Sequence, residues 1–530
     1  MVINMDINKR FNTTGDCKPK LHYMVDITDR LIAIKQLIDR GEYFAINRAR
    51  QYGKTTILKG LERFLKSDYN VIRLDFQAFS HKCFESEEIF SRVFTETLQE
   101  RYSYFTSKFQ MEFESIAEKK DMNLSTLFKL LSKCCEIADK PVVLLIDEVD
   151  SASNNQVFLD FLAQLRNYYL DRDVEATFQS VILAGVYDIK NLKMKIHPNE
   201  PSKKNSPWNI AADFDISMSF SVVDITSMIG EYEQDYKTDM DISEISKLIY
   251  DYTSGYPFLV SRICKLIDEK VVGIEKFPNK TSAWTKEGFL QAVKFLLNEE
   301  NTLFDSLIHK LYDYEKIRNL IYSLLFEGAT RTYNIRNESI QIGTMFGFVK
   351  NKNGFVAISN RIFEIILYDQ FLSDDMDESK VYCDALKNKN QFIDHGELDM
   401  ARILEKFVQH FDDIYGNQSI AFKEEEGRKY FLLYLKPIIN GVGNYYIEAQ
   451  TRDMKRTDII IDYLGKQYII EMKIWHGEEY NTRGEQQLTE YLNYYHLEKG
   501  YMLSFNFNKN KQVGIKSIEI GEKILIEAVV

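Results

Sequence analysis

The sequence predicts a multidomain α/β protein with a doubly wound parallel sheet in its N-terminal part. With 530 residues, the chain is too long for one hydrophobic core, since a domain usually has about 100–200 residues. Short apolar runs typical of buried strands alternate with segments of helical periodicity, which is the pattern of parallel βαβ units. Hydrophobic residues make up 45% of the chain, so each domain can bury a core of its own.

Four apolar runs are the candidate strands of this sheet. Segments with apolar residues three and four positions apart separate them, as expected for helices. Acidic and small residues stand at the carboxyl ends of the runs, where doubly wound sheets bind their ligands. The runs are YFAI at 43–46, NVIRLDF at 70–76, VVLLI at 142–146 and SVILAG at 180–185.

The pattern changes along the chain and divides it into four predicted domains. The four strands lie in residues 1–215, and residues 216–300 turn helical around a Ser-Gly-Tyr-Pro break, which predicts a helical lid. Residues 301–385 have helices, then a strand, an Asn-Lys-Asn-Gly turn, a second strand and a helix, an order that suits a winged helix. Residues 395–530 form a separate α/β domain, and the acidic stretch 373–380 is the candidate linker.

Composition and charge exclude several classes of protein. The formal charge is 67 − 79 = −12, so any contact with nucleic acid must come from a local patch. The six cysteines have no paired CxxC spacing, which argues against a disulfide framework or a zinc site. The chain has neither the apolar core of a signal peptide nor a run of about 18 uncharged apolar residues, so we expect a cytoplasmic protein without a membrane span.

A candidate phosphate site stands between the first strand and the helix that follows it. Gly53, Lys54 and Thr55 supply backbone N–H groups at a helix N-terminus, an ammonium group for the β- and γ-phosphates, and a hydroxyl for Mg²⁺. The usual G-x-x-x-x-G-K-[ST] motif begins with glycine, and Arg48 occupies that position here. The alternative interpretation is a surface turn capped by Lys54.

Acidic residues end the third apolar run. Asp147 at this position can hold Mg²⁺ through its water shell, and Glu148 can act as the base toward an attacking water. The alternative for the pair is a charge pair at a helix N-terminus. Asp75, at the end of the second run, could reach the metal or cap its helix, and we expect Asp150 to be a cap or a solvated acid.

These residues resemble the AAA-like and STAND-related ATPases, in which an R-x-R-Q-x-G-K-[ST] turn replaces the loop that begins with glycine. The chain has RARQYGKT at 48–55. The segments YMVD at 23–26, SPWNIAADFDI at 206–216 and SGYP at 254–257 also resemble this family. The resemblance makes Arg48 a family variant, although it places a side chain where glycine normally allows close backbone approach.

The resemblance also implies a cofactor and residue roles. It implies ATP as the nucleotide, with Mg²⁺, or alternatively Mn²⁺, as the metal. Thr55 and Asp147 would hold the metal, and Glu148 would be catalytic. We find no arginine finger, which leaves open a homo-oligomer whose neighbouring subunit supplies one. The residues assigned to nucleotide binding are Arg50, Gln51, Tyr52, Gly53, Lys54, Thr55 and Thr56.

A second polar group falls on a predicted hairpin at 446–475. Asp458 opens one apolar strand, and Glu471 and Lys473 lie on the next, across a Leu-Gly-Lys turn. Glu471 and Lys473 are two residues apart and therefore face the same side of the strand. Metal-dependent phosphodiester hydrolysis would explain the group: Asp458 and Glu471 would hold Mg²⁺, and Lys473 would orient or deprotonate water. The alternative is a solvent-facing Glu–Lys pair.

With its flanking helices, this hairpin resembles the PD-(D/E)xK nuclease superfamily. The resemblance implies a restriction-endonuclease-like α/β domain, in which Glu424, or less plausibly Glu425 or Glu426, assists the metal. It also implies that Gln487 is catalytic and that Tyr491 supports the substrate. The proline that usually precedes the first acid is Thr457 here. Loop cations that could grip phosphates, or simply be solvated, are Arg452, Lys455 and Arg456.

The leading hypothesis is an Mg²⁺-dependent ATPase whose nucleotide state regulates a C-terminal domain that cleaves nucleic acid, with DNA the expected substrate. Fusions of this kind suggest defence against foreign DNA. The alternative is a STAND-like nucleotide switch whose C-terminal domain only binds nucleic acid or protein. A structural remnant is a third interpretation, and the intact Lys54, Asp147 and Glu471 argue against it.

Overall fold

In the computed structural model, the protein chain divides into two compact units. The first contains the chain up to Glu231 together with Tyr256–Ser261 and Met345–Gly347, and the second contains Tyr232–Gly255, Arg262–Thr344 and Phe348–Val530. The described residues are 9–101, 122–186, 208–326, 331–376, 379–415, 424–439, 442–448, 457–474, 485, 488–489, 492–493, 497–506 and 512–530.

A four-stranded parallel sheet forms the core of the first unit, with the strand order β3-β6-β5-β4. The predicted α/β class with a parallel sheet is therefore confirmed. A two-residue parallel pair, β1 and β2, precedes the sheet. The strands are β1 Arg10–Phe11, β2 His22–Tyr23, β3 Phe44–Asn47, β4 Asn70–Asp75, β5 Val142–Asp147 and β6 Ser180–Gly185.

Helices pack on both faces of this sheet because β5 and β6 are apolar on both sides. One face contributes Leu144 and Ile146 to a core rich in phenylalanine, and the other contributes Val143 and Leu145 to a smaller aliphatic core. The helices are α1 Thr28–Asp39, α2 Lys54–Phe64, α3 Glu87–Arg101, α4 Leu124–Ile137, α5 Gln156–Leu170 and α6 Val222–Tyr236, the last of which continues into the second unit.

The first half of the second unit is helical and contains one hairpin. The hairpin strands are joined by Asn353 and Gly354, both with positive φ, as a tight two-residue turn requires. The elements are α7 Ile242–Thr253, α8 Pro257–Leu266 (which begins in the first unit), α9 Lys280–Ala283, α10 Lys286–Leu297, α11 Thr302–Asp313, α12 Glu315–Leu325, α13 Glu338–Met345, β7 Val349–Lys352, β8 Phe355–Ile358, α14 Arg361–Met376 and α15 Lys380–Asn388.

The acidic stretch 373–380, the candidate linker, is partly helical in its described residues. Helix α14 continues to Met376, and α15 begins at Lys380. The Tyr312 hydroxyl donates a hydrogen bond to the Asp374 carboxylate over 2.8 Å, and the Arg318 guanidinium lies 3.6 Å from it. Asp374 is therefore held to two preceding helices, α11 and α12.

The rest of the second unit contains a six-stranded mixed sheet, whose strand order is β11-β12-β13-β14-β16-β15. Strands β11 to β13 are antiparallel neighbours, β13, β14 and β16 are parallel, and β15 is antiparallel to β16. The elements are β9 Ile393–Asp394, β10 Glu397–Leu398, α16 Met400–Tyr415, α17 Glu424–Ile439, β11 Gly443–Glu448, β12 Thr457–Tyr463, β13 Lys466–Ile474, β14 Lys499–Phe505, β15 Gly514–Ile520 and β16 Lys523–Val529.

Within the described residues, every helix is too short or too polar to pass through a bilayer.

Candidate functional site

The loop between β3 and α2 borders a cavity of about 440 Å³ in the first unit. Pockets for cofactors and small ligands usually enclose roughly 300–1,000 Å³, so the cavity is large enough for one such molecule. Six of the seven residues predicted to bind nucleotide line this cavity and Arg50 does not, whereas Glu148, which was predicted to be catalytic, lines it as well. The six that do are Gln51, Tyr52, Gly53, Lys54, Thr55 and Thr56.

The backbone of this loop needs a glycine immediately before the helix. Gly53 is the N-cap of α2 and has φ of +81°, a left-handed conformation that side chains rarely adopt. Gln51 also has a positive φ, of 55°. The loop thus turns twice before Lys54 begins α2, and the N-terminus of that helix is at the cavity. A helix N-terminus favours anions because its first N–H groups lack partners within the helix.

Lys54 is almost completely buried, with 6% of its surface exposed. Its ammonium group donates hydrogen bonds to the carbonyl oxygens of Arg48, at 2.9 Å, and Ala49, at 3.0 Å. Burial lowers the pKa of Lys54, and the nearby carboxylates, chiefly that of Glu148, oppose this effect. The buried ammonium group is therefore hydrogen-bonded to the loop's own carbonyl oxygens. Phosphate oxygens of a bound ligand could replace these carbonyl oxygens as acceptors.

Arg48 does not disturb the loop although it replaces the usual first glycine. Its guanidinium donates to the carbonyl oxygens of Asn47, Phe214 and Ile216 over 2.9, 3.4 and 3.1 Å. It also lies 5.4 Å from the centre of the Phe214 ring. These contacts take the side chain to the 214–216 segment, which explains how the loop accommodates an arginine there.

Asp147 and Thr55 meet at the end of β5. The Asp147 carboxylate is 1% exposed and accepts a hydrogen bond from the N–H of Glu148 over 3.1 Å. Burial raises the pKa of Asp147, while its hydrogen bond with Thr55 acts in the opposite direction. A desolvated carboxylate beside a hydroxyl is an oxygen donor set that fits Mg²⁺, whose charge would favour the ionised form of the acid.

The other acids at this edge of the sheet differ in their surroundings. Glu148 has φ of 51° and borders the cavity, and burial raises its pKa. Asp75 accepts the N–H of Gln77 over 2.9 Å and caps a short helix, which is one of the two roles left open by the sequence. Asp150 accepts the N–H of Val186 over 2.6 Å. Among these acids, Glu148 is the one that lines the cavity.

Much of the cavity wall consists of residues that the sequence did not indicate. The segment before β2 is tied to α2, since the N–H of Cys17 donates to the Thr56 hydroxyl over 3.3 Å and Lys59 pairs with Asp16 at 2.7 Å. The remaining wall is mainly apolar. The segment YMVD at 23–26 was a part of this wall that the sequence indicated through its family resemblance. Its contact with the cavity could not be predicted, because the segment lies more than 20 residues before the loop. The apolar lining residues are Met24, Val25, Ile27, Ile57, Met218, Phe220, Pro257 and Phe258.

In the second unit, Glu471 and Lys473 lie on β13 and share one face of the strand. Glu471 is 3% exposed, and its Oε1 is 3.7 Å from the Lys473 ammonium. The side chain of Lys473 is 11% exposed. This burial differs from that of the solvent-facing pair that was the alternative interpretation. Such charges are costly to bury unless they are paired or bind a ligand.

The pairing of β12 with β13 places Asp458, the third predicted residue of this group, near Glu471. Ile459 pairs with Ile470, and extending that register by one residue sets Asp458 opposite Glu471. The side chains of Asp458 and of Glu424, the first residue of α17, lie outside the described residues, as does all of Gln487. Tyr491 and the loop cations at 452, 455 and 456 are also outside them.

A further buried acid on this sheet was missed by the sequence analysis. Glu527 is fully buried, accepts a hydrogen bond from the Ser504 hydroxyl over 2.9 Å, and pairs with Lys516 at 2.5 Å. The register aligns Glu471 with Met502 and Met502 with Glu527, so all three share a face. The described side chains include no group of three or more His, Cys, Asp or Glu that could hold a metal.

Comparison with known proteins gives one family match. The model of the family described as "AAA-like domain" matches residues 22–318, more than half of the chain. No curated protein sequence matches the chain.

Similar solved structures include a Walker-type ATPase of Pyrococcus abyssi, with 12% identity and a TM-score of 0.47 over 67% of this chain and 99% of that one. They also include the Aeropyrum pernix ORC1 protein in complex with DNA, with 12% identity and a TM-score of 0.30 over 66% and 94%. The Aeropyrum pernix ORC2 protein in its ADPNP–ADP complexes has 11% identity and a TM-score of 0.38 over 68% and 96%.

Proposed function

The chain belongs to the AAA-like domain family, and we propose that its first unit binds and hydrolyses ATP with Mg²⁺. The observation that carries this proposal is the buried Lys54 ammonium at the N-terminus of α2, beside a cavity of about 440 Å³. An anionic ligand would offset the cost of burying this cation. Phosphate release from ATP by the full chain, which we expect to require Lys54, tests the proposal.

The phosphates would bind at the loop between β3 and α2. The N–H groups at the start of α2 would donate to phosphate oxygens, and the Lys54 ammonium would leave the Arg48 and Ala49 carbonyls for the β- and γ-phosphates. The apolar wall formed by residues such as Met24 and Phe258 suits the flat face of a purine base. A triphosphate nucleotide thus fits the cavity better than a simple polyphosphate.

Hydrolysis needs a metal site and a base, and the acids at the carboxyl end of β5 offer both. Mg²⁺ would neutralise the charge that develops on the phosphates. Thr55 and Asp147 would hold the ion, since they form an oxygen donor pair whose carboxylate is buried. Glu148, which borders the cavity, would accept the proton of the attacking water.

For the second unit we propose metal-dependent cleavage of nucleic acid, with DNA as the expected substrate. Support comes from the buried Glu471–Lys473 pair on β13 and from the register that sets Asp458 opposite Glu471. Asp458, Glu471 and Glu424 would hold the metal. Lys473 would orient or deprotonate the attacking water, and Gln487 would assist. A role in defence against foreign DNA rests only on this pairing of the two activities.

Lys473→Met and Glu471→Gln are each expected to lower the rate of plasmid or single-stranded DNA cleavage by about 100-fold or more, as for loss of a group that acts on the reacting atoms. The assay uses the full chain with Mg²⁺ or Mn²⁺. Lys466→Met is the matched control, because Lys466 begins the same strand, is more than half exposed, and pairs with Glu397.

Two outcomes would contradict the cleavage proposal. If Lys473→Met and Glu471→Gln cut DNA as fast as the wild type, the residue assignment is wrong. If the wild type binds ATP, turns it over slowly and cuts no DNA or RNA, the protein is a nucleotide switch whose C-terminal domain only binds its partner.

A further inference from the structure

Three alternate residues of the segment 252–256 each form a side-chain hydrogen bond with a different part of the chain. The Tyr256 hydroxyl donates to the carbonyl oxygen of Arg50 in the phosphate loop. The Ser254 hydroxyl accepts from the Lys350 ammonium over 2.7 Å, and the Tyr252 hydroxyl donates to the Asp462 carboxylate. The chain passes from the second unit to the first between Gly255 and Tyr256.

Within the first unit, Tyr256 holds the third of three consecutive loop carbonyls. Lys54 holds the first two, those of Arg48 and Ala49. Tyr256 is 3% exposed, and the Tyr52 ring packs edge-on against it with a centroid distance of 4.6 Å. If Lys54 moves to bound phosphates, two loop carbonyls lose their donor. The loop must then rearrange beside the bond that Tyr256 makes.

Within the second unit, Tyr252 is bonded to β12, the strand that contains Asp458. Tyr252 is 3% exposed and Asp462 is 6% exposed, so their hydrogen bond is shielded from water. A hydrogen bond to a buried carboxylate is stronger than one between neutral groups. The Arg361 guanidinium lies 4.8 Å from the centre of the Tyr252 ring. A displacement of Tyr252 would therefore act directly on β12, four residues from Asp458.

The residues between these two tyrosines have a restricted conformation. Ser254 and Gly255 both have positive φ, of 48° and 71°. A left-handed conformation is unfavourable for serine, so its surroundings must hold it in place. The hydrogen bond from Lys350 to the Ser254 hydroxyl does so. A segment held at three alternate residues transmits a displacement better than a solvated linker does.

We propose that the segment 252–256 couples the nucleotide site to strand β12. When ATP draws Lys54 from the loop carbonyls, the Arg50–Tyr256 bond changes, and the change reaches Asp462 through Tyr252. The inference rests on the proposed ATP site and deepens it, because it names the route by which bound nucleotide regulates the proposed cleavage site.

Hydrogen–deuterium exchange of the full chain tests this coupling without requiring DNA cleavage. In the wild type, a non-hydrolysable ATP analogue with Mg²⁺ should change the exchange rate of the β12 amides by about fivefold or more, the lower range of allosteric couplings. Tyr252→Phe keeps the ring but removes the hydroxyl. It should bind the analogue with unchanged affinity and lose the response in β12.

Two further variants separate coupling from a general loss of stability. Tyr250→Phe makes the same chemical change on the same helix at an exposed position and should respond like the wild type. Asp462→Asn keeps an oxygen that accepts the Tyr252 hydroxyl, so it should keep most of the response.

The possible failures are distinguishable. If the wild type binds the analogue and β12 exchange does not change, or if Tyr252→Phe responds like the wild type, the coupling is rejected and the ATP site remains. If the wild type binds no analogue, the proposed function fails and the coupling fails with it.

Discussion

Lys54→Ala is expected to reduce ATP hydrolysis by the full chain by about 100-fold or more, the usual effect of removing one donor that stabilises developing charge. The ammonium group of Lys54 is buried at the N-terminus of α2 and donates hydrogen bonds to the carbonyl oxygens of Arg48 and Ala49. Alanine cannot reach the β- and γ-phosphates. Phosphate release at saturating ATP and Mg²⁺ measures the effect.

Lys66→Ala is the matched control for this experiment. Lys66 follows the end of α2, is exposed, and accepts a hydrogen bond from Lys140 through its backbone carbonyl, which alanine retains. Its hydrolysis rate should equal that of the wild type. Undiminished hydrolysis by Lys54→Ala would reject the loop as the nucleotide site, provided that both variants unfold at the temperature of the wild type.

Glu148→Gln is expected to bind ATP with the affinity of the wild type and to hydrolyse it at least about 100-fold more slowly. Loss of a general base usually lowers a reaction rate by this much. Glutamine has nearly the same shape but cannot accept the proton of the attacking water. The left-handed φ of residue 148 suits glutamine as well as glutamate, since Gln51 in the same unit has a similar φ. Equilibrium binding of ATP and a single-turnover assay measure the two properties separately.

Glu136→Gln, an exposed acid on α4 in the same unit, is the matched control for this substitution and should hydrolyse ATP at the wild-type rate. The base assignment is wrong if Glu148→Gln retains full turnover. A variant that loses ATP binding instead would show that Glu148 positions the loop rather than accepting a proton.

The parallel sheet was predictable because its central strands are apolar on both faces. Val142–Asp147 and Ser180–Gly185 are buried throughout, so their runs stand out in the sequence without any knowledge of their neighbours. The phosphate loop was predictable for a similar reason, since Gly53, Lys54 and Thr55 are adjacent and their chemistry is local. The features that could be predicted from the sequence were thus mainly those that depend on a few consecutive residues.

Contacts between distant parts of the chain could not be predicted in this way. Tyr252 and Asp462 are separated by 210 residues, and nothing near Tyr252 in the sequence indicates its partner. Glu527 resembles an ordinary acid of a hydrophobic strand until β14 and β16 pair and bring Ser504 beside it. Arg48 likewise donates a hydrogen bond to the carbonyl oxygen of Ile216, which is 168 residues away in the sequence.

A crystal structure of the full chain with a non-hydrolysable ATP analogue and Mn²⁺ tests the central claim most directly. We expect analogue density in the cavity at Lys54 and an anomalous manganese peak beside Thr55 and Asp147. A second peak is expected beside Asp458 and Glu471. Analogue density elsewhere, or a cavity that holds analogue without manganese at Thr55 and Asp147, would contradict the proposed ATPase site.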